Sequence, residues 1–267
     1  MAVRLYNNQE IAKIVKSGKI AYDTHMELAK FIKPGISTYK LNEIANNFIE
    51  KQNAKAAFLG FMGFPGHICT SLNDIVVHGI PRREDVLKDG DLIGIDIGIE
   101  YDGFYSDTAW TWPVGEISEE NKKLVKVTQN CLFKGIRQAI VGNRIGAIGN
   151  AVQEHAESNG YSVVRSLVGH GVGKSIHEEP QVPNFGNRKD GTQIKVGMVL
   201  AIEPMINIGD YHVFTDKDAW SVKTKDGLAS AHFEHTIAIT SKGPVICTLP
   251  EGQGSMESVF NIVNGSK

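Results

Sequence analysis

No stretch of these 267 residues stays apolar long enough to span a bilayer, and the opening MAVRLYNNQE has no apolar signal core. Membrane insertion and secretion are therefore not expected. Cysteine is scarce: Cys69, Cys131 and Cys247 are an odd number with no CxxC pair. That spacing argues against a disulfide or thiolate-zinc framework and fits reduced thiols in a cytoplasmic protein. Neither sign of charge is in excess, with 28 Lys and Arg against 30 Asp and Glu. The chain as a whole thus has no electrostatic claim on nucleic acid or a membrane surface. Linkers and low-complexity runs are missing too, so residues 1–267 read as a single domain. What is present, 42% hydrophobic and 22% charged residues, is the profile of a globular protein with a large core.

Helical periodicity runs through residues 8–33 in Ile11, Ile14, Val15, Leu28 and Ile32, up to a Pro34–Gly35 stop. Ser37 or Thr38 can cap a second helix whose apolar face is Leu41, Ile44, Ala45, Phe48 and Ile49. Extended pieces follow in ICTSL and DIVVHGI and at 91–99 and 104–112. The second half repeats this order. Ser118 opens a helix through Leu124, Val125, Leu132 and Ile136, and another spans about 145–158 and stops at Asn159–Gly160. Strand-like stretches then appear in YSVVRSLV, GMVLAIEPMI, HTIAIT and PVICTL.

An offset of 107 residues places Gly35 on Gly142, Glu50 on Glu157, Gly79 on Gly186 and Lys88 on Lys195. It also lays LKDGDLIGID over IKVGMVLAIE, so that Asp96 falls on Glu203. Two related halves, about 1–115 and 116–267, would each supply a carboxylate from the same strand position.

IDIGIEYDGFYSDTA carries the first chemical signal. Ile93, Ile95, Ile97 and Ile99 alternate with Gly94, Asp96 and Gly98, so Asp96 faces away from the isoleucines. Asp102–Gly103 is a hairpin signal. A two-residue loop pairs Gly98 with Asp107; a four-residue loop pairs Asp96 with Asp107. Either register puts both carboxylates on one face, at roughly 5 Å directly opposed or 7–8 Å on the diagonal. Such a pair must take up a proton, bind a cation, or simply be wet on an open sheet face. Further along, glycines flank His170 in VGHGVG and leave little bulk around it, AIEPMI sets Glu203 in an apolar strand, and HFEHTIAIT places Glu234 at a strand start. Four carboxylates and a histidine in strand-like segments favour the cation.

VVHGIP, DIGIEYDGFYSD, GHGVGKSIHEEP, AIEPM and FEHTIAIT together resemble the type I methionine aminopeptidases of the pita-bread metallopeptidase family. The resemblance runs from the first helix to about residue 250. The uninterrupted interval between His170 and Glu203, and the lack of a Cys/His extension ahead of the catalytic region, match the short bacterial form. It implies an α+β fold: two pseudo-symmetric α/β halves with antiparallel sheet around a dinuclear site. Asp96, Asp107, His170, Glu203 and Glu234 would be the ligands, with Asp107 and Glu234 bridging. An oxygen-rich set with one imidazole suits Mn²⁺, Fe²⁺ or Co²⁺, and Zn²⁺ is not excluded.

By the same resemblance the reaction is removal of N-terminal methionine from nascent polypeptides, with small second residues preferred. Glu203 would shuttle the proton, His177 would stabilise the oxyanion, and His78 would bond the peptide nitrogen. Phe58, Phe61, Phe64, Cys69, His78, Ile176, His177 and Trp220 would hold the substrate. The family often has tyrosines where Phe61 and Phe64 stand, a phenylalanine near Ile176 and a threonine at Ala201. Asn73, Ile75 and Ser230 would hold one Na⁺ or K⁺. The implied protein is a cytoplasmic monomer with a transient ribosome contact, no nucleic-acid specificity and no membrane partner. Two rivals remain: a proline-directed peptidase of the same fold, and a non-catalytic binding protein.

Overall fold

Asn7 accepts hydrogen bonds from the Gln9 and Glu10 amides while the Glu10 carboxylate returns to the Asn7 amide. This reciprocal cap starts α1, Asn8–Ala29. In the computed structural model, which describes residues 3–250, α1 stops four residues short of the expected 33. Leu28 C=O accepts from both Phe31 and Ile32 amides, so the chain turns ahead of Pro34. The two ends of the expected 1–267 domain, 1–2 and 251–267, lie outside the described residues.

Ser37 caps α2 (Thr38–Lys51), Ser118 caps α3 (Glu119–Gln138), and α4 covers Ile145–Ser158, ending at Asn159. The first strands are β1 (Lys55–Ala56), β2 (Cys69–Leu72), β3 (Ile75–Val77), β4 (Leu92–Tyr101) and β5 (Phe104–Pro113). After α4 come β6 (Ser162–Val163), β7 (Gly169–Gly171), β8 (Glu178–Val182), β9 (Val199–Ile202) and β10 (Met205–Asn207). β11 (Val213–Thr215), β12 (Val222–Thr224), β13 (Ser230–His232), β14 (His235–Thr240) and β15 (Gly243–Ile246) are the last among the described residues. Of YSVVRSLV only Ser162–Val163 forms a strand, paired with Asn207 and Ile206 of β10, and the Val164 amide adds a bond to the Met205 carbonyl.

Among the described residues the pairings are antiparallel and form four sheets. β1, β2, β4 and β5 make one, and the order β15-β14-β9-β7-β8 makes another. β13-β10-β6 and β11-β12-β3 are smaller. One face of the β4–β5 hairpin is the core: Ile93, Ile95, Ile97, Ile99 and Trp110 are fully buried. α1 lies on it, with His25 stacked on Trp110 at 4.9 Å and the Ser17 hydroxyl donating to the Ile99 carbonyl. A single apolar cluster runs from Ile20 through α3 and α4 to Leu249. Among the described residues no helix is long and apolar enough to cross a membrane. The three cysteines are buried and unpaired.

Candidate active site

The hairpin's other face carries the aspartates. Asp102 and Gly103 both have positive φ, 51° and 70°, as a two-residue hairpin loop requires. The register pairs Gly98 with Asp107 and Asp96 with Ala109. The carboxylates are therefore diagonal neighbours on one face.

Glu203 is not inside a strand as expected. It sits in the break between β9 and β10, where the chain passes from the five-stranded sheet to the β13-β10-β6 sheet. Pro204, lacking an amide hydrogen, cannot continue the ladder. Glu234 occupies the return crossing between β13 and β14. Both glutamates thus project from sheet-to-sheet crossings.

His170 lies on β7, paired with Ala201 of β9. The glycines beside it serve the main chain rather than the imidazole. A Cβ at Gly169 would lie 2.4 Å from the Ala201 carbonyl oxygen, and one at Gly171 2.3 Å from that of Glu179. His170 Nδ1 is 2.9 Å from the Gly171 carbonyl. That contact assigns the proton to Nδ1 and leaves the Nε2 lone pair facing Glu203 at 3.5 Å and Asp107 at 3.8 Å. Burial holds the His170 imidazolium pKa down at about 3, so the ring is neutral. His78, in a left-handed conformation at φ 60°, is likewise lowered by burial, to about 4.

Donor atoms of Asp96, Asp107 and Glu234 lie within 4.8 Å of one another, as do those of His170, Glu203 and Glu234, and of Asp107, His170 and His177. Burial raises the pKa of all four carboxyls, and Asp107, Glu203 and Glu234 are raised further by the acidic groups beside them. Among the described residues, Asp96 Oδ1, Asp107 Oδ1 and Glu234 Oε1 are buried without a hydrogen-bond partner. Orphaned oxygens on crowded carboxyls are what a cation would satisfy, so the donor set fits divalent metal ions.

These acidic groups form the floor of a cavity of about 140 Å³ whose walls include Phe58, Phe61, Phe64, Cys69, His78, His177 and Trp220. Ile176 packs with Phe58, Phe64 and Cys69 behind this wall. Phe64 meets Trp220 edge-on at 5.1 Å, and Phe61 meets His177 edge-on at 5.1 Å. Gly98 makes room for this wall, since a Cβ there would come within 2.7 Å of the Phe58 ring. A more open groove shares His78, His170, His177 and Glu203 and continues past Leu167, Glu179 and Gln181. Asn73, Ile75 and Ser230 lie apart from the cavity. The Ser230 amide donates to the Asn73 carbonyl, and Ile75 pairs with Lys223 in the adjoining β3–β12 ladder.

Two features near the site, one behind the acidic groups and one at the cavity edge, were not singled out by sequence. His232 is buried, its Nε2 4.0 Å from both Glu203 and Glu234. Its position two residues before Glu234, on the same side of an extended segment, is the signal that could have found it. Met62, 82% exposed and left-handed at φ 49°, reaches the cavity mouth from the Phe61–Gly63 turn.

The profile of metallopeptidase family M24 matches residues 12–241. Methionine aminopeptidase 1 of Bacillus subtilis is 51% identical over 240 residues, covering 90% of this chain and 96% of that protein. The crystal structure of methionine aminopeptidase from Rickettsia prowazekii superimposes with a TM-score of 0.91 at 40% identity, over 93% of this chain and 100% of that one. An Xaa-Pro dipeptidase from Bacillus anthracis shares the fold at 23% identity and a TM-score of 0.75, with 91% of this chain matching 61% of that one. The mixed α+β architecture is the pita-bread fold of these enzymes. The chain belongs to metallopeptidase family M24, among the type I methionine aminopeptidases.

Proposed function

We propose that the chain removes N-terminal methionine from nascent polypeptides, favours small second residues, and does so with two divalent ions held by Asp96, Asp107, His170, Glu203 and Glu234. The observation that carries this reading is the convergence of four carboxyls and a neutral imidazole on the floor of an aromatic-walled cavity. When bound, the ions supply Lewis acidity toward the scissile carbonyl and make a nucleophile of water near neutral pH.

The chain's own residues do the rest. Phe58, Phe61, Phe64, Cys69, Ile176 and Trp220 enclose the methionine side chain, where dispersion and sulfur–aromatic contact suit a thioether. The polypeptide beyond the scissile bond follows the open groove past Leu167 and Gln181. Glu203 takes a proton from the attacking water and delivers it to the leaving nitrogen. His177, exposed at the cavity edge with its pKa lowered by partial desolvation, donates to the developing oxyanion. His78 accepts from the substrate peptide N–H. Asn73, Ile75 and Ser230 hold a monovalent cation away from the chemistry. The molecule works as a cytoplasmic monomer, one catalytic domain of two halves, with transient ribosome contact.

The test is turnover of Met-Ala-Ser, Met-Leu-Ser and a proline-directed substrate after chelation and reconstitution with single metals. Chelated protein should be inactive, and Mn²⁺, Fe²⁺ or Co²⁺ should restore cleavage of Met-Ala-Ser in preference to the other two. Preference for the proline substrate would overturn the specificity, and full activity in chelator would overturn the metal chemistry.

Gly98→Ala offers a finer check on the methionine pocket. The added methyl meets the Phe58 ring and must displace it, which reshapes the pocket wall. KM for Met-Ala-Ser should rise several-fold while kcat changes little, the mark of lost uniform binding. Unchanged KM would remove Phe58 from the pocket wall.

A further inference from the structure

β5 is hydrogen-bonded to β4 along one edge. Along its other edge it meets the β13–β14 segment in antiparallel steps: Asp107 opposite Thr236, Ala109 opposite Glu234, Thr111 opposite His232. A main-chain bond joins the Glu234 amide to the Ala109 carbonyl at 2.7 Å. Five further bonds across this seam use threonine hydroxyls. Thr236 Oγ1 accepts from the Asp107 amide at 2.9 Å and donates to the Asp107 carbonyl at 2.8 Å. Thr111 Oγ1 makes the same two-way clasp on His232, at 2.9 Å each way. Thr108 Oγ1 donates to the Glu234 carbonyl at 2.8 Å.

The hydroxyls stand in for a ladder that cannot form. Thr236 is already in register with Ala201 of β9, and its carbonyl accepts from the Cys247 amide. Thr111 is already paired with Gly94 of β4. With the Thr236 carbonyl committed to the Cys247 amide, its hydroxyl supplies the bonds to Asp107 across the seam. As a result, both main-chain polar groups of Asp107 and both of Glu234 are held by the opposite strand. All the residues involved are buried, with Thr108 and Thr236 at 0% exposure.

We propose that Thr236 and Thr108 are positioning residues: their hydroxyls fix the separation of the Asp107 and Glu234 carboxyls and so set the spacing of the ion pair. This rests on the dinuclear reading above. Each hydroxyl acts through the main chain of a carboxylate and touches neither substrate nor ion. Groups behind a metal's ligands typically alter affinity or activity 10–100-fold when removed.

The test compares Thr236→Val, Thr236→Ser, Thr108→Val and wild type by calorimetric titration with Mn²⁺ alone, by the exchange-coupled Mn²⁺ paramagnetic resonance spectrum, and by Met-Ala-Ser kinetics. The valine variants should bind the second Mn²⁺ at least about tenfold more weakly and show an altered coupling. Their kcat should fall with KM within twofold, and serine should restore all three readouts. Valine variants that are less stable yet keep wild-type Mn²⁺ affinity and coupling would overturn the proposal. If Thr236→Val does not fold, Thr108→Val decides by the same readouts, since it leaves the Asp107 clasp intact. Wild type taking up fewer than two Mn²⁺ would overturn the dinuclear reading and this proposal together, whereas unchanged valine variants would overturn this proposal alone.

Discussion

Glu234→Gln should lower kcat/KM by roughly 10³-fold or more, about 4 kcal/mol of lost transition-state stabilisation, while making the metal-free protein more stable. Both effects have one cause. Glu234 is buried, and burial together with the charges of Glu203 and Asp96 raises its pKa. A carboxyl whose folded pKa exceeds its unfolded value disfavours folding once it is ionised. The penalty is absent below the unfolded pKa of about 4.3, grows as pH rises, and is complete above the folded pKa. A neutral isostere removes it. The metal-free variant should therefore exceed metal-free wild type in urea midpoint at pH 8, and the gap should close as the pH falls toward 4. With Mn²⁺ present the order should reverse, because the ions hold the wild-type carboxylates ionised and the variant has lost a donor. Near-wild-type turnover in the variant would mean that Glu234 is not a ligand, and a lower metal-free midpoint at pH 8 that it is not a strained charge.

The second large effect concerns stability alone. Trp110 is fully buried, paired with Ile95 across the hairpin, stacked on His25 at 4.9 Å and packed edge-on against Tyr22 at 6.0 Å. Trp110→Ala should cost about 3–5 kcal/mol, a large share of the 5–15 kcal/mol that domains of this kind possess. Trp110→Phe should cost clearly less. The indole nitrogen has no hydrogen-bond partner, so the phenyl ring forfeits area and shape only. Denaturant unfolding of the chelated proteins checks both. A loss below about 1 kcal/mol for alanine would mean that α1 does not depend on this contact.

What could be read in advance follows physical range. The helix starts at Ser37 and Ser118 are local chemistry, a hydroxyl meeting an amide three residues on, and they stand where the sequence puts them. The hairpin register was open to two loop lengths, and the two-residue turn is the one adopted. Beyond that range, spacing fails. Pro204 in AIEPMI marks the end of a ladder but not a change of sheets at Glu203, because the change depends on β14 occupying one edge of β9 and β13 one edge of β10. The end of α1 was misjudged because Pro34 is only the outer limit of a turn that begins at Leu28. The threonine clasps were invisible for the same reason as the sheet crossing, since they exist only where two filled edges meet. Strand placement singled out the five proposed ligands and the hairpin put Asp96 and Asp107 on one face, but only the family resemblance joined all five in one site.

The Asp102–Gly103 turn couples length to chemistry. Because successive residues of β5 point to opposite sides, one extra residue that shifted the strand rather than bulging in the turn would swing Asp107 toward the tryptophan layer and bring a neighbour into the cavity. The insertion would act as the deletion of a carboxylate, though every acidic residue would remain in the polypeptide.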